Sequence, residues 1–185
     1  MIRAPNEGRK LFGFADSFQK NMPNKIPEAL ITDGMGVTWP FFTMENSIHD
    51  MIRELINVHG FSWAMPAKLR ICTFSISEAA IREFISLKDD NLVSEIEIII
   101  DHTARKNKLD MLLFANENTK VFLADVHAKV IVIEAGNRIV IMTSANMNTI
   151  KRYEAGIISI NSAITDYFIE QLEELKQLSI PFTIE

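Results

Sequence analysis

The chain has 185 residues, 48% hydrophobic and 23% charged, with a net charge of −5. That is the balance of one globular domain with a buried core, and it excludes disordered and fibrous classes. The acidic balance gives no general attraction to nucleic acid or anionic membrane, and Cys72, the single cysteine, excludes an intrachain disulfide and a cysteine metal site. No apolar stretch approaches the ~18–20 residues that cross a bilayer. The opening MIRAPNEGRKLFGF has no apolar secretory core. A reduced, cytoplasmic setting is the expectation.

Residues 1–40 are punctuated by Pro5, Pro23, Pro27, Pro40, Gly8, Gly13, Gly34 and Gly36. Phe12, Phe14 and Phe18 make them too apolar for a free tail, so they read as an irregular arm packed on its own domain or on a partner. Arg9, Lys10, Lys20 and Lys25 make the arm slightly basic, a pattern that fits solvated surface. Residues 41–185 read as one domain.

Within it, Ile48, Met51, Ile52, Leu55 and Ile56 recur at helical spacing, and Asn46 or Ser47 caps a helix ending before Gly60. His49 and His59, on or beside that helix, read as surface or capping residues. Leu69–Phe74 alternates as a strand, and Ser75 with Glu78 has capping-box spacing for a helix to about Leu87. Ser75 and Ser77 read as caps before they read as substrate contacts.

Glu95–Ile100 is a second strand. It runs into the basic loop holding His102, Arg105, Lys106 and Lys108, followed by a helix over residues 105–116 that buries Leu109, Leu112 and Leu113. Arg105, Lys106 and Lys108 have two readings: solvated charges at a helix start, or a rim that attracts a polyanion. His102 is a candidate for supporting a site from behind. Val121–Asp125 and Gly156–Ile160 read as further strands, and Asn161 or Ser162 caps a last helix with Ile164, Phe168, Leu172 and Leu175 inward. Strands alternating with helices at this spacing predict an α/β sandwich, a mixed sheet between helices.

The stretch from Val126 to Gly156, VHAKVIVIEAGNRIVIMTSANMNTIKRYEAG, carries the chemistry. Residues i and i+2 of a strand share a face, which projects His127 and Lys129 together. A turn at Ala135–Asn137 then folds the chain back and returns Ser144 and Asn146 toward His127. An imidazole, an ammonium, a hydroxyl and an amide meeting at one point suit a tetrahedral phosphate. The set offers a cation and neutral donors for its oxygens, and a nitrogen nucleophile or proton donor for its bonds.

H-x-K, four apolar residues, an acid, a hairpin, S-x-N and a later Glu together resemble the single HKD motif of the phospholipase D superfamily, in the form of its small one-motif endonucleases. His127, Lys129, Ser144, Asn146 and Glu154 each fall on a motif position. Glu134 stands where the motif has Asp, and Thr143 where a Gly usually precedes the Ser.

The resemblance implies a phospholipase D-like fold and metal-independent, cofactor-free phosphodiester hydrolysis. One histidine attacks phosphorus and a second protonates the leaving oxygen. Lys129 and Asn146 would hold the non-bridging oxygens, Glu154 would accept from the imidazole, and Ser144 would support that network or donate to the phosphate. Glu134 would be structural.

Two histidines are needed and one motif is present, so the resemblance implies a homodimer sharing one site, or pairing with another motif-bearing chain. Nucleic acid is the expected substrate, since no helix with the cationic amphipathic face of a membrane binder is visible. A lipid or small phosphodiester is the other enzymatic reading. A catalytically silent binding or scaffold module on the same fold is the non-enzymatic one.

Overall fold

The computed structural model describes residues 38–43, 48–58, 66–148 and 153–183. Expectations for residues 1–37, for the Asn46 or Ser47 cap, and for His59 and Gly60 lie outside the described residues, as does the His49 side chain.

In chain order the elements are β1 (Thr38–Thr43), α1 (Ile48–Val58), β2 (Ala67–Thr73), α2 (Glu78–Asp89), β3 (Val93–Asp101), α3 (Thr103–Asn107) and α4 (Leu109–Asn118). Then come β4 (Lys120–Ala124), β5 (Val130–Glu134), β6 (Arg138–Thr143), β7 (Glu154–Ser159), α5 (Ser162–Leu178) and β8 (Ile180–Pro181). The strands form one mixed sheet in the order β1-β7-β6-β5-β2-β3-β4-β8.

β2, β3 and β4 run parallel, joined through α2 and through α3 with α4. β5, β6 and β7 continue the sheet as antiparallel neighbours on the other side of β2. One face buries Ile71, Ile98, Ile131 and Ile141 against Leu55, Phe84 and Leu112 of α1, α2 and α4. The other buries Cys72, Val130, Val132 and Val140 under Leu172, with Ile164, Phe168 and Leu175 packed around them. The expected α/β architecture, helices on both faces of a mixed sheet, is what the chain forms.

Four local expectations change. The cap of α2 is Ser77, whose hydroxyl accepts from Ala80 N at 3.2 Å. Ser75 lies two residues earlier and is engaged elsewhere. The helix expected over 105–116 is two helices broken at Lys108, which takes φ −145° and ψ 43°. Its ammonium there donates to Ser75 Oγ and Ile76 O, both at 2.9 Å, so a tertiary anchor overrides helical propensity. Leu109, expected inside, is 48% exposed, and Met111, Leu112 and Ala115 bury in its place. The edge strands β1 and β8 were not expected. β1 contains Pro40, which an edge tolerates because one side of it needs no donor. β8 is two residues long and offers no periodicity.

β1 seats against β7 with Phe41 opposite Gly156. A Cβ at Gly156 would meet Met142 O at 2.2 Å and the Phe41 ring at 2.5 Å. Gly156→Ala should therefore destabilise by about 1–3 kcal/mol through overpacking. Adding Phe41→Leu should recover part of the loss in urea melts if ring and methyl compete for that space.

The face under α5 also holds charge. The Arg70 side chain is 10% exposed, with Nε 2.5 Å from Glu134 and 3.7 Å from Glu97, and Nη1 2.5 Å from Glu173. Lys68 and Lys176 reach Glu97 at 3.2 and 3.3 Å.

Candidate active site

A strand was expected to carry His127 and Lys129, but they lie in the link between β4 and β5. Its backbone is tied on both sides of His127. Val126 N donates to Asp101 Oδ2 at 3.3 Å, and Thr143 N donates to Lys129 O at 3.1 Å. The two side chains still meet there: Lys129 Nζ sits 3.2 Å from His127 Nδ1 and donates to His127 O at 2.8 Å. An ammonium only donates, so this contact needs Nδ1 as acceptor and leaves the ring hydrogen on Nε2. Burial pushes the Cys72 thiol up to about 12, with Lys129 pulling the other way.

The β5–β6 hairpin brings the second half of the motif back, with Val130 opposite Met142. Ser144 N donates to Ala155 O at 2.8 Å, and Ala155 N to Ser144 Oγ at 3.0 Å. That hydroxyl in turn donates to Glu154, the first residue of β7. Thr143 has a local task, its hydroxyl accepting from Ala145 N at 3.0 Å across the turn after β6. The amide oxygens of Asn146 and Asn148 are buried without a hydrogen-bond partner, a costly arrangement until something donates to them.

Residues 144–148 dock on the turn after β2. Met147 N donates to Ser75 O at 3.1 Å and Ser77 N to Met147 O at 2.8 Å, forming a parallel bridge between Ile76 and Met147. The Phe74 ring on that turn faces His127 with centroids 4.8 Å apart and planes inclined by 50°. Lys129 Nζ stands 5.9 Å from the centre of the same ring. His127 with Lys129, and Ser144 with Glu154, thus form two contacting pairs at one end of the sheet, with Asn146 on the segment joining them to the β2–α2 turn. In the sequence Phe74 reads only as the end of a strand. Its one signal there is an aromatic residue at the junction of a strand and a serine-rich turn.

The other named residues are farther out. Glu134 ends β5, at the opposite end from Lys129, against Arg70. Of the basic trio, Lys108 is engaged by Ser75 and Ile76, while Arg105 and Lys106 are exposed on α3. Arg105 lines a cleft of about 250 Å³ with Leu123, Ile180, Pro181 and Phe182, along the β4–β8 edge.

His102 is exposed, its Nδ1 3.8 Å from Asp101 Oδ2. Asp101, His102 and Asp125 place ligand atoms within 4.8 Å of one another. Burial pushes the Asp101 carboxyl up, but hydrogen bonds from the Thr103 hydroxyl and amide and from Val126 N outweigh it and hold the group below its ordinary value. With its oxygens so engaged, Asp101 anchors the start of α3 and the link to His127. A lowered carboxyl stabilises the fold above its ordinary value, and that share is lost as pH falls through the lowered one. The urea stability of wild type over Asp101→Asn should therefore shrink on acidification below pH ~4.

No family model and no curated protein matches the chain. Solved structures do. The phospholipase D family member Nuc from Salmonella typhimurium superposes with a TM-score of 0.60 at 16% identity, over 80% of this chain and 99% of that one. NucT from Helicobacter pylori does so at 0.61 and 19%, with the same coverage. The chain has the phospholipase D fold. Phosphatidylserine synthase from Haemophilus influenzae matches at 0.54 and 13% identity, over 98% of this chain but 48% of its own. Four-fifths of this chain thus spans nearly the whole of Nuc and NucT, and the chain spans about half of the synthase.

Proposed function

We propose that the protein is a metal-independent phosphodiesterase, a nuclease by preference, that works through a phosphohistidine on His127. The observation that carries this reading is the contact of His127 with Lys129 beside the Ser144–Glu154 pair, at one end of a phospholipase D-fold sheet. Lys129 and Asn146 bind the non-bridging oxygens of the phosphate. Engaging them draws Lys129 off Nδ1, so the ring hydrogen can move there and Nε2 gains its lone pair. Glu154 orients that Nδ1–H form. Nε2 then attacks phosphorus, the bond to the leaving oxygen breaks, and a second imidazole, as imidazolium, gives its Nε2 proton to that oxygen and is left neutral. The same imidazole, now a base, takes a proton from the water that hydrolyses the phosphohistidine. Arg105 and Lys106 supply attraction to a polyanion from α3.

The second imidazole comes from His127 of another copy across a two-fold axis. His102 of the same chain is the competing source, because its backbone N–H bonds Ala124 O at 2.8 Å, near the link that carries His127. The test is cleavage of labelled single-stranded DNA, duplex DNA and RNA in EDTA, with His102→Ala as a control. Cleavage of at least one polymer, surviving EDTA and His102→Ala, is expected. A monomer fully active at micromolar concentration would overturn the shared site. Failure on all three polymers, and on lipid and small phosphodiesters, would leave a silent binding module as the better reading.

A further inference from the structure

We infer that Phe74 is a positioning residue for His127, an inference that rests on the phosphodiesterase reading of the same site. The backbone flanking His127 is held at Val126 by Asp101 and at Lys129 by Thr143. The imidazole itself is exposed, and an exposed side chain of this kind exchanges rotamers freely unless something packs on it. In-line attack on phosphorus tolerates little of that motion, because the nitrogen must stand close to the phosphorus and along the bond that breaks.

Phe74 supplies the packing. Its ring lies 4.8 Å from the imidazole at an inclination of 50°, a tilted aromatic pair. The same ring stands 5.9 Å from Lys129 Nζ, so one surface borders both groups that meet the phosphate.

The platform is itself fixed. Phe74 begins a turn clamped from two sides: by the Lys108 ammonium on Ser75 Oγ and Ile76 O, and by Met147, which bonds Ser75 O and Ser77 N. Thr73 Oγ1 adds a third hold on Ser75 O at 3.0 Å. The helix break at Lys108 thereby acquires a purpose, since an unbroken helix would direct that ammonium elsewhere. Phe74 remains 36% exposed, so truncating it removes an imidazole contact more than a core contact.

The test compares Phe74→Leu and Phe74→Tyr with wild type and His127→Ala, by steady-state cleavage and by NMR of the His127 ring protons. Phe74→Leu should lower kcat about tenfold, with KM within about twofold, and Phe74→Tyr should stay within about twofold of wild type in both. The ring protons should shift in the leucine variant, which lacks a ring current, and stay in place in the tyrosine variant. Lys108→Met, acting from the far side of the turn, should lower kcat in the same sense. Wild-type kcat in Phe74→Leu, a loss confined to KM, or unmoved His127 resonances would overturn the inference. Full cleavage by His127→Ala, or none by wild type, would instead remove the phosphodiesterase reading and this inference with it.

Discussion

His127→Ala should lower phosphodiester cleavage by at least about 10³-fold, the upper part of the range for a positioned proton-transfer group, because it removes nucleophile and acid together. In a site built from two copies each histidine has a different task, and one substitution deletes both. Wild-type protein incubated with labelled substrate and quenched in acid-free denaturant should carry the phosphoryl group on His127, still esterified to one side of the cleaved diester, and the variant should carry none. Lys129→Met and Asn146→Ala should each cost about 10²–10³ in kcat, as lost oxyanion donors do.

The decisive form of the experiment is subunit mixing. Equal amounts of wild-type and His127→Ala chains, unfolded together and refolded, give about a quarter wild-type dimers, so activity should fall to about a quarter if the site needs both histidines. An activity of about half would mean that each chain completes its own site, and His102 would then become the acid to test.

Arg70→Ala should be a damaging substitution away from the site, costing about 3 kcal/mol, because it takes the guanidinium from part-buried Glu134 and Glu173. Glu97, with its side chain 6% exposed, retains Lys68 and Lys176. Glu134 and Glu173 lose the charge that stands 2.5 Å from each. The Arg70–Glu134 approach is close but not aligned as a hydrogen bond, so its effect is mainly charge, and Arg70→Met should fare no better than alanine. At about 2–4 °C per kcal/mol for a chain of this size, the melting temperature should fall by roughly 6–12 °C.

The pH dependence has a definite sign. Glu173 is held below its ordinary value by Lys176 foremost, against the opposing effect of burial, with Arg70 contributing. A lowered carboxyl stabilises the fold above its ordinary value and ceases to do so as pH falls through the lowered one. The difference between wild type and Arg70→Ala should therefore narrow on acidification. A deficit under ~1 kcal/mol at neutral pH would show that this network contributes no more than surface pairs do.

The alternation of Glu95 and Glu97 with isoleucines, and the spacing of Ile164, Phe168, Leu172 and Leu175, are local patterns with local causes. Their strand and helix formed as read. The H-x-K and S-x-N spacings were legible for the same reason, since extended backbone and a short hairpin bring such residues together under almost any packing. The pair met although the link that carries it lies outside the strands.

Contacts between residues distant in sequence were not legible. Lys108 broke a helix because its partners, Ser75 and Ile76, are more than thirty residues away. β1 and β8 exist because Gly156 admits Phe41 and because Phe182 N reaches Val121 O at 2.9 Å. The sequence by itself determined the α/β class and the pairing of His127 with Lys129, because periodicity and motif spacing are short-range properties of the chain. Only the tertiary structure decided that Phe74 faces His127, that Lys108 holds the turn beneath it, and that Glu134 belongs to an ion network rather than to the site. Each of those depends on which strands lie side by side, and strand order follows from the packing of the whole core.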